Sequence, residues 1–231
     1  MSKVILFDAT RRTGPDHSAS DGDTMSKAIL YDATLCTGCK RCEWACAQVN
    51  GFPFDKEIAA EEQSAYKYTV VQKVDGKFMR KLCLHCSKPA CATVNCGGFE
   101  KMEQGPVVHI HAACTGCGLC LPRCPFEQLK TCWTSVPFTM RKCQMCYERV
   151  QNGVAPGCAT ACQTGATKFG DRDALLAEAK ERIRKNPDKY VNHIYGETEV
   201  GGTAVLLLSS VPFEKFGWPT AEELAAKRRY E

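Results

Sequence analysis

The stretch CTGCGLCLPRCP, residues 114–125, contains four cysteines separated by two, two and three residues and ends in proline. Three thiolates this close together can converge from one short loop, while the fourth, before Pro125, is directed away from them. A [4Fe–4S] cluster needs one thiolate for each of its four irons, and this spacing is typical of loops that hold one. The stretch therefore predicts a cluster-binding loop.

Cysteine groups of similar spacing lie on both sides of this stretch. Seventeen cysteines are present in all, an odd number, and their spacing is too tight for a normal disulfide framework. Sixteen of them form four groups, namely Cys36, Cys39, Cys42 and Cys46; Cys83, Cys86, Cys91 and Cys96; Cys114, Cys117, Cys120 and Cys124; and Cys143, Cys146, Cys158 and Cys162. Cys132 is left over. The repetition favours four [4Fe–4S] clusters.

Three other roles for the cysteines are weaker interpretations. Structural zinc rarely uses four evenly spaced cysteines, and a zinc-structured interaction module is kept as an alternative of a different class. Buried apolar cysteines would not repeat in register. Cys83-Leu-His85-Cys86 contains the Cys-x-His of a Rieske centre, but no second Cys/His pair follows. We expect His85 to be a local hydrogen-bond donor, and His109 and His111 to lie at the surface or next to cluster ligands.

The composition narrows the function further. The chain has 231 residues and a formal net charge of +4, which is spread along the chain and does not indicate nucleic-acid binding. The first 30 residues show no signal-peptide pattern, and the longest apolar run is too short to span a bilayer. No phosphate loop, dinucleotide fingerprint or hydrolase motif is present. Many cluster loops without a substrate motif predict an electron-transfer protein with no catalytic residues of its own.

Periodicity predicts the regular elements around the cysteines. Strands are expected within 27–34, 66–74, 105–111 and 203–213, where β-branched or alternating apolar residues occur. A helix is expected over 171–187, with Asp171 or Asp173 as N-cap and Leu175, Leu176, Ala179 and Ile183 on one face. A closing helix follows Thr220, which with Glu223 forms a capping-box pattern.

The chain begins with a duplicated segment. MSKVILFDATRRTG (1–14) and MSKAILYDATLCTG (25–38) are identical at ten of fourteen positions, but Arg12 stands where the second copy has Cys36. Residues 1–24 contain no cysteine, and a guanidinium cannot bind iron. We expect an upstream in-frame start, with an extension that docks on a neighbouring protein as the alternative.

From residue 26 to about 220, the chain resembles the four-cluster ferredoxin-like β-subunits of the molybdopterin oxidoreductase superfamily. These serve formate dehydrogenases, polysulfide and dimethyl sulfoxide reductases, and a membrane-bound uptake hydrogenase. The motifs that carry the resemblance are CTGCKRCEWAC (36–46), CLHCSKPAC (83–91), CTGCGLCLPRCP (114–125), RKCQMCYERVQNGVAPGCATACQTGATKFGDRDAL (141–175) and HIYGETEVGGTAVLLLSSVPFEKFGWP (193–219).

The resemblance implies an α+β fold of two interlocked ferredoxin-like cores, in which each cysteine group lends its last thiolate to another group. The implied ligand sets are site 1, Cys36, Cys39, Cys42 and Cys162; site 2, Cys143, Cys146, Cys158 and Cys46; site 3, Cys83, Cys86, Cys91 and Cys124; and site 4, Cys114, Cys117, Cys120 and Cys96. Since such crossing joins early segments to late ones, cluster assembly and folding should be coupled.

One departure from the family pattern concerns site 4. The family's second motif would place its last cysteine at Asn95, followed by proline, whereas this chain has Cys96 followed by Gly97 and Gly98. The glycines could let the backbone loop out and bring Cys96 to the cluster. Otherwise site 4 loses a ligand or recruits Cys132.

The resemblance also implies a domain layout. It divides the chain into the non-ligating segment 1–24, a double iron–sulfur domain over 25–170 and a C-terminal extension over 171–231 for partner docking. Within the domain lie an insert at 50–80 and the second cluster pair at 81–132. The transmembrane anchor of membrane-bound relatives has no counterpart before Glu231, so no direct membrane span is expected.

The implied function is electron transfer between a catalytic oxidoreductase subunit, with molybdenum or tungsten pterin, and a membrane-bound or soluble redox partner. A hydrogenase or a tungsten aldehyde oxidoreductase-type complex is the alternative. Sixteen thiolates and four oxidised cores would change the net charge from +4 to about −4, and basic residues beside the cysteines, such as Lys81 and Lys142, would offset it locally. A cytoplasmic location is expected, with periplasmic co-export as the alternative.

Overall fold

The computed structural model describes residues 26–133 and 138–228. The duplicated first segment and its linker therefore lie outside the described residues. The strands are β1 (Lys27–Asp32), β2 (Val70–Val74), β3 (Lys77–Lys81), β4 (Phe99–Lys101), β5 (Val107–His109), β6 (Lys130–Cys132), β7 (Thr139–Arg141), β8 (Thr167–Asp171) and β9 (Val205–Leu208). The helices are α1 (Arg41–Asn50), α2 (Lys56–Ala60), α3 (Tyr147–Gln151), α4 (Gly157–Thr160), α5 (Arg172–Lys185) and α6 (Ala221–Arg228).

A three-stranded sheet of order β8-β1-β9 forms the centre of the main core. β1 pairs antiparallel with β8 and parallel with β9, so that Ile29 lies opposite both Phe169 and Val205. β1 and β9 are almost entirely buried, as expected for strands that read as continuous apolar runs. The sheet therefore joins the segment before the first cysteine group to segments after the last.

Three two-stranded hairpins separate the cysteine groups along the chain. β2 pairs with β3, β4 with β5, and β6 with β7, all antiparallel. β3 ends two residues before Cys83 and β7 ends two residues before Cys143. A smaller apolar cluster that includes Phe99 and Leu129 lies apart from the main core. This mixture of short helices and small sheets agrees with the expected α+β class.

The two predicted C-terminal helices are confirmed. α5 buries Leu175 and Ala179 against the central sheet. Asp171 occupies the N-cap position, but its carboxylate forms an ion pair with Lys27 and makes no capping bond. At α6, the N–H of Thr220 donates to Glu223 Oε2 at 2.8 Å, and the N–H of Glu223 donates to Thr220 Oγ1 at 3.1 Å, so the capping box is formed.

Each predicted strand is present but shorter than expected, and α1 over Arg41–Asn50 was not predicted at all. The sequence of α1 mixes cysteines with polar residues, so it shows no clear apolar stripe. β9 of the proposed C-terminal extension pairs with β1, while the division at residue 170 stays a prediction. Within residues 26–133 and 138–228, we find no helix with the length and apolar character needed to cross a bilayer.

Candidate iron–sulfur sites

The loop between β1 and α1 carries the first three cysteines of site 1. Cys39 is exposed and Cys42 is buried. Gly38 has φ of +72°, which favours glycine, and its N–H donates to Cys36 Sγ at 3.4 Å. Such backbone N–H donors at sulfur are one means by which a protein tunes a cluster.

Cys162, the distant member of site 1, lies near the start of β8. Because β8 is antiparallel to β1, with Tyr31 opposite Thr167, the residues just before β8 and just after β1 lie at the same end of the strand pair. Cys36 follows β1 by four residues and Cys162 precedes β8 by five. Burial disfavours the Cys162 thiolate, but hydrogen bonds from Thr167 and Thr164 lower its pKa overall.

The cysteine at the end of the first group, Cys46, has neighbours from the fourth group. Burial, followed by the nearby Cys143 and Cys158 thiols, raises the pKa of Cys46 well above its ordinary value. Burial and then Cys158 and Cys146 likewise raise the pKa of Cys143 to about 12. The N–H of Met145 donates to Cys143 Sγ at 3.3 Å. The fold therefore brings together the four thiols of site 2 from segments about a hundred residues apart.

The four thiols of site 3 line a single cavity between two segments of the chain. Its walls include Cys83, Cys86, Cys91 and Cys124 together with Val107 and Lys142. Burial, and then Cys83, Cys124 and Cys91, raises the pKa of Cys86 above its ordinary value. The N–H of Gln128 donates to Cys124 Sγ at 3.4 Å. Cys124 thus lies with the second group, although it belongs to the third group in sequence.

Cys96 lies with the third group at site 4 in spite of its shifted position. Burial is the main cause that raises the pKa of Cys120 to about 11, and Cys96 and Cys114 contribute to the rise. A Cβ atom at Gly98 would lie 3.3 Å from Cys96 Sγ and 3.7 Å from the Cα of Cys114. Glycine at this position therefore permits the two segments to approach closely.

Cys132, the alternative ligand, is buried in β6 with its Sγ 3.2 Å from Tyr66 Oη. The adjacent loop of site 4 is exposed at Cys117. There the N–H of Leu119 is the largest cause of the lowered Cys117 pKa. The close approach of the Cys96 segment to Cys114 at Gly98, and the effect of Cys96 on the pKa of Cys120, favour Cys96 over Cys132.

The histidines have roles that the sequence predicted only in part. His85 is completely buried and its Nδ1 accepts a hydrogen bond from the N–H of Val107 at 2.9 Å. The expectation that His85 acts as a hydrogen-bond donor was therefore wrong for this contact, because its Nδ1 accepts a hydrogen bond from a backbone N–H. His109 Nε2 lies 3.3 Å from Thr139 Oγ1, which donates to Cys114 Sγ at 3.5 Å, so His109 lies next to a proposed ligand.

In the described parts of the chain, we find no group of three or more Cys, His, Asp or Glu side chains placed to hold one metal ion. A four-iron cubane instead takes one thiolate on each of four irons, which spreads the ligands around a larger body. The donor sets described above, four thiols with backbone N–H donors, fit a cubane.

The fold and the four thiol groups define a ferredoxin-like iron–sulfur protein, and the comparisons with known proteins agree. The 4Fe-4S dicluster domain family matches residues 74–172. A protein of Nitratidesulfovibrio vulgaris is 38% identical over 83% of this chain and 56% of its own length. The Hydrogenase-2 operon protein HybA of Escherichia coli O157:H7 is 31% identical over 85% of this chain and 74% of its own length.

A third relative is the iron-sulfur subunit of the nitrate-inducible formate dehydrogenase of Escherichia coli, which is 28% identical over 74% of this chain and 64% of its own length. The chain thus spans between just over half and three quarters of the length of these curated relatives. The chain belongs to the family of ferredoxin-like iron–sulfur β-subunits of the molybdopterin oxidoreductase superfamily.

Proposed function

We propose that this chain is an electron-transfer subunit that relays electrons through four [4Fe–4S] clusters held at sites 1 to 4. The observation that supports the proposal is that distant cysteines lie among the thiols of sites 2, 3 and 4, while Cys162 lies at the end of the β1–β8 pair where Cys36 follows. When bound, each cluster supplies a one-electron redox centre. The two interlocked ferredoxin-like cores implied by the family are part of this proposal.

Electrostatic interactions between thiols of different sites support a serial order. Burial raises the pKa of Cys42 at site 1 to about 12, and the Cys158 thiol of site 2 adds to the rise. Sites 1 and 2 are therefore neighbours. Cys83 of site 3 is among the thiols that raise the pKa of buried Cys143 at site 2. Burial is the main cause that raises the pKa of Cys91 at site 3, and Cys120 of site 4 is among the thiols that add to the rise. The order is therefore site 1, site 2, site 3, site 4.

The exposure of the thiols agrees with a relay that has two accessible ends. The two cysteines classed as exposed, among those described, are Cys39 at site 1 and Cys117 at site 4, which are the ends of the series. At the inner sites, Cys46, Cys143 and Cys158 are buried, as is Cys83. Electrons can thus enter at one end and leave at the other while the inner centres stay away from water.

The partner at one end of the relay is, in this proposal, a catalytic oxidoreductase subunit of the molybdenum- or tungsten-pterin class. The names of the relatives support this class of complex, since one is a formate dehydrogenase iron-sulfur subunit. The relation to HybA, named for a hydrogenase-2 operon, favours a hydrogenase complex as the second candidate. Native mass spectrometry of the complex purified from its own cells distinguishes the two by the mass and metal of the co-purifying subunit.

The number of clusters is tested by iron and acid-labile sulfide analysis of protein prepared without oxygen. We expect about sixteen iron atoms and as many sulfides per chain, four for each cluster. About twelve iron atoms would indicate that site 4 does not assemble with Cys96. About eight iron atoms, or stoichiometric zinc, would contradict the four-cluster proposal.

A further inference from the structure

Arg80, in β3, is a buried cation without a carboxylate partner among the residues that the structure describes. Its side chain is fully buried. Its Nε donates to Thr69 Oγ1 at 2.8 Å and its Nη1 donates to Thr167 Oγ1 at 3.4 Å. Both acceptors are neutral hydroxyls, so these bonds orient the guanidinium without neutralising it. A buried charge of this kind requires a counter-charge.

Thiols of two different sites surround the Arg80 guanidinium. Burial works against its charged form, but the nearby Cys158 of site 2 and Cys42 of site 1 raise the pKa of Arg80. Thr167, which accepts from Arg80 Nη1, also donates its N–H to Cys162 Sγ of site 1 at 3.3 Å. Arg80 in turn opposes the burial-driven rise in the pKa of Cys42 and of Cys46. Arg80 therefore stands at the junction between sites 1 and 2.

Lys142 occupies the corresponding place at the next junction. Its side chain is almost fully buried and lines the cavity shared by the four thiols of site 3. Its ammonium donates to the carbonyl of Cys143 at 3.0 Å and also to the carbonyl of Val107. Cys143 is a proposed ligand at site 2, so Lys142 lies between sites 2 and 3. No carboxylate pairs with it among the described residues.

We infer that Arg80 and Lys142 are the counter-charges at two successive junctions of the relay and that each raises the reduction potential of the two clusters beside it. This inference rests on the proposed function. Four thiolates and an oxidised core carry a net charge of −2, which becomes −3 when the cluster accepts one electron. A fixed positive charge nearby stabilises the more negative state, and low-dielectric surroundings strengthen the effect.

The test is an electron paramagnetic resonance redox titration of the full chain with its clusters, with dithionite as the electron donor. Substitution of one proposed ligand per site assigns each signal. Arg80→Gln removes the charge but keeps an amide that can bond Thr69. It should lower the equilibrium constant for reduction at sites 1 and 2 by about tenfold, which is about 59 mV for a one-electron couple, and leave site 4 unchanged.

Lys142→Gln should lower the equilibrium constant for reduction by a similar factor at sites 2 and 3 and leave the constant at site 1 unchanged. Lys168→Gln is the control, because Lys168 is partly exposed and paired with Glu178 at 2.5 Å; it should leave all four values unchanged. Potentials that stay at wild-type values in both test variants, or that shift equally at all four sites, would overturn the inference.

If Arg80→Gln does not take up iron, Arg80→Lys, which keeps the positive charge, tests the inference in its place. Its potentials at sites 1 and 2 should equal the wild-type values, and a displaced value at either site would overturn the inference. Iron content separates these outcomes from failure of the proposed function, because wild-type protein with far fewer than sixteen irons contradicts the relay itself.

Discussion

Lys67 and Glu43 form an ion pair inside the protein close to the first cysteine group. Lys67 Nζ lies 3.1 Å from Glu43 Oε2, and their side chains are 4% and 0% exposed. The other carboxylate oxygen accepts a hydrogen bond from the N–H of Val71 at 2.7 Å. Lys67 also donates to the carbonyls of Ile58 and Glu61 at 2.8 and 2.7 Å. One pair of charges thus holds the segment before β2 against α1.

Lys67→Met should destabilise the protein, because it leaves the Glu43 carboxylate buried without its counter-charge. Removal of one partner from a buried pair costs roughly 3–5 kcal/mol, which corresponds to a fall of about 10 °C in melting temperature for a chain of this size. Thermal unfolding followed by circular dichroism without oxygen measures it. The double variant Glu43→Gln/Lys67→Met is the control and should recover part of the loss, and equal melting of Lys67→Met and wild type would contradict the prediction.

At the scale of one element, α6 shows how a short surface helix is held in place. Its capping box satisfies the N–H of Thr220, just before the helix, and the N–H of Glu223 in the first turn, which has no partner within the helix. Leu224 of α6 is buried in the main core. Lys227 Nζ donates to the carbonyl of Pro125 and contacts Glu127, both at 3.0 Å. The cap, one apolar contact and one lysine thus attach α6 near the end of the third cysteine group.

Thr220→Ala should loosen α6 without affecting the clusters, because it removes the side-chain oxygen that caps the helix. Loss of such a cap costs about 0.5–2 kcal/mol, so amide exchange of Glu223 and Leu224 should accelerate by roughly 2- to 30-fold if it occurs through opening of the helix. Hydrogen exchange with mass spectrometry measures this rate. Thr220→Ser keeps a capping hydroxyl and should exchange like wild type, whereas fast exchange in both variants would exclude the cap as the cause.

At the scale of the whole molecule, the order β8-β1-β9 makes the fold depend on both ends of the described chain. β1 has a hydrogen-bonded neighbour on each side, and the cysteine loops of site 1 extend from the β1 and β8 ends that lie together. The α5 helix adds a further tie, since Arg182 Nη1 lies 2.6 Å from Asp32 Oδ2 at the end of β1. Early and late segments therefore have to assemble together.

Cys162→Ala should damage the cluster held by Cys36, Cys39 and Cys42, and the iron content should fall from about sixteen to about twelve. The reason is the position of Cys162 at the shared end of β1 and β8. The matched control is Cys132→Ala, which changes a cysteine outside the four sites and should retain all the iron. If spectroscopy showed loss only of the cluster at Cys143, Cys146 and Cys158, the ligand sets would be wrong.

A version that begins at Met25 should keep the full iron content of the complete chain. Residues 1–24 contain no cysteine, and β1 already pairs on both edges with other strands of the described chain, so neither the proposed ligands nor the described pairing of β1 comes from these residues. Iron analysis, melting temperature and co-elution with partner subunits compare the two versions. Reduced co-elution alone would indicate a docking role, while loss of iron would show that the first copy is structural.

Several features of the fold could be predicted because they depend on residues close together in sequence. The cluster loops follow from the spacing of Cys114 and its neighbours, since short separations leave few ways for three thiols to converge. The extent of α5 and the capping box at Thr220 are local patterns in the same sense. The resemblance added the ligand sets, which stay a prediction that iron analysis and Cys162→Ala test.

Other features were decided by the tertiary structure alone. Nothing beside Arg80 in sequence marks it, because no cysteine adjoins it. Its proposed role depends on its burial near Cys42 and Cys158, which the fold decides. The hydrogen bond of His85 was also decided by the fold, since its Nδ1 accepts from the N–H of Val107 in β5. The sequence by itself determined which loops can bind iron, because ligand spacing is local. The tertiary structure decided where the buried cations Arg80 and Lys142 lie relative to the cysteine loops, because those contacts join segments that only packing brings together.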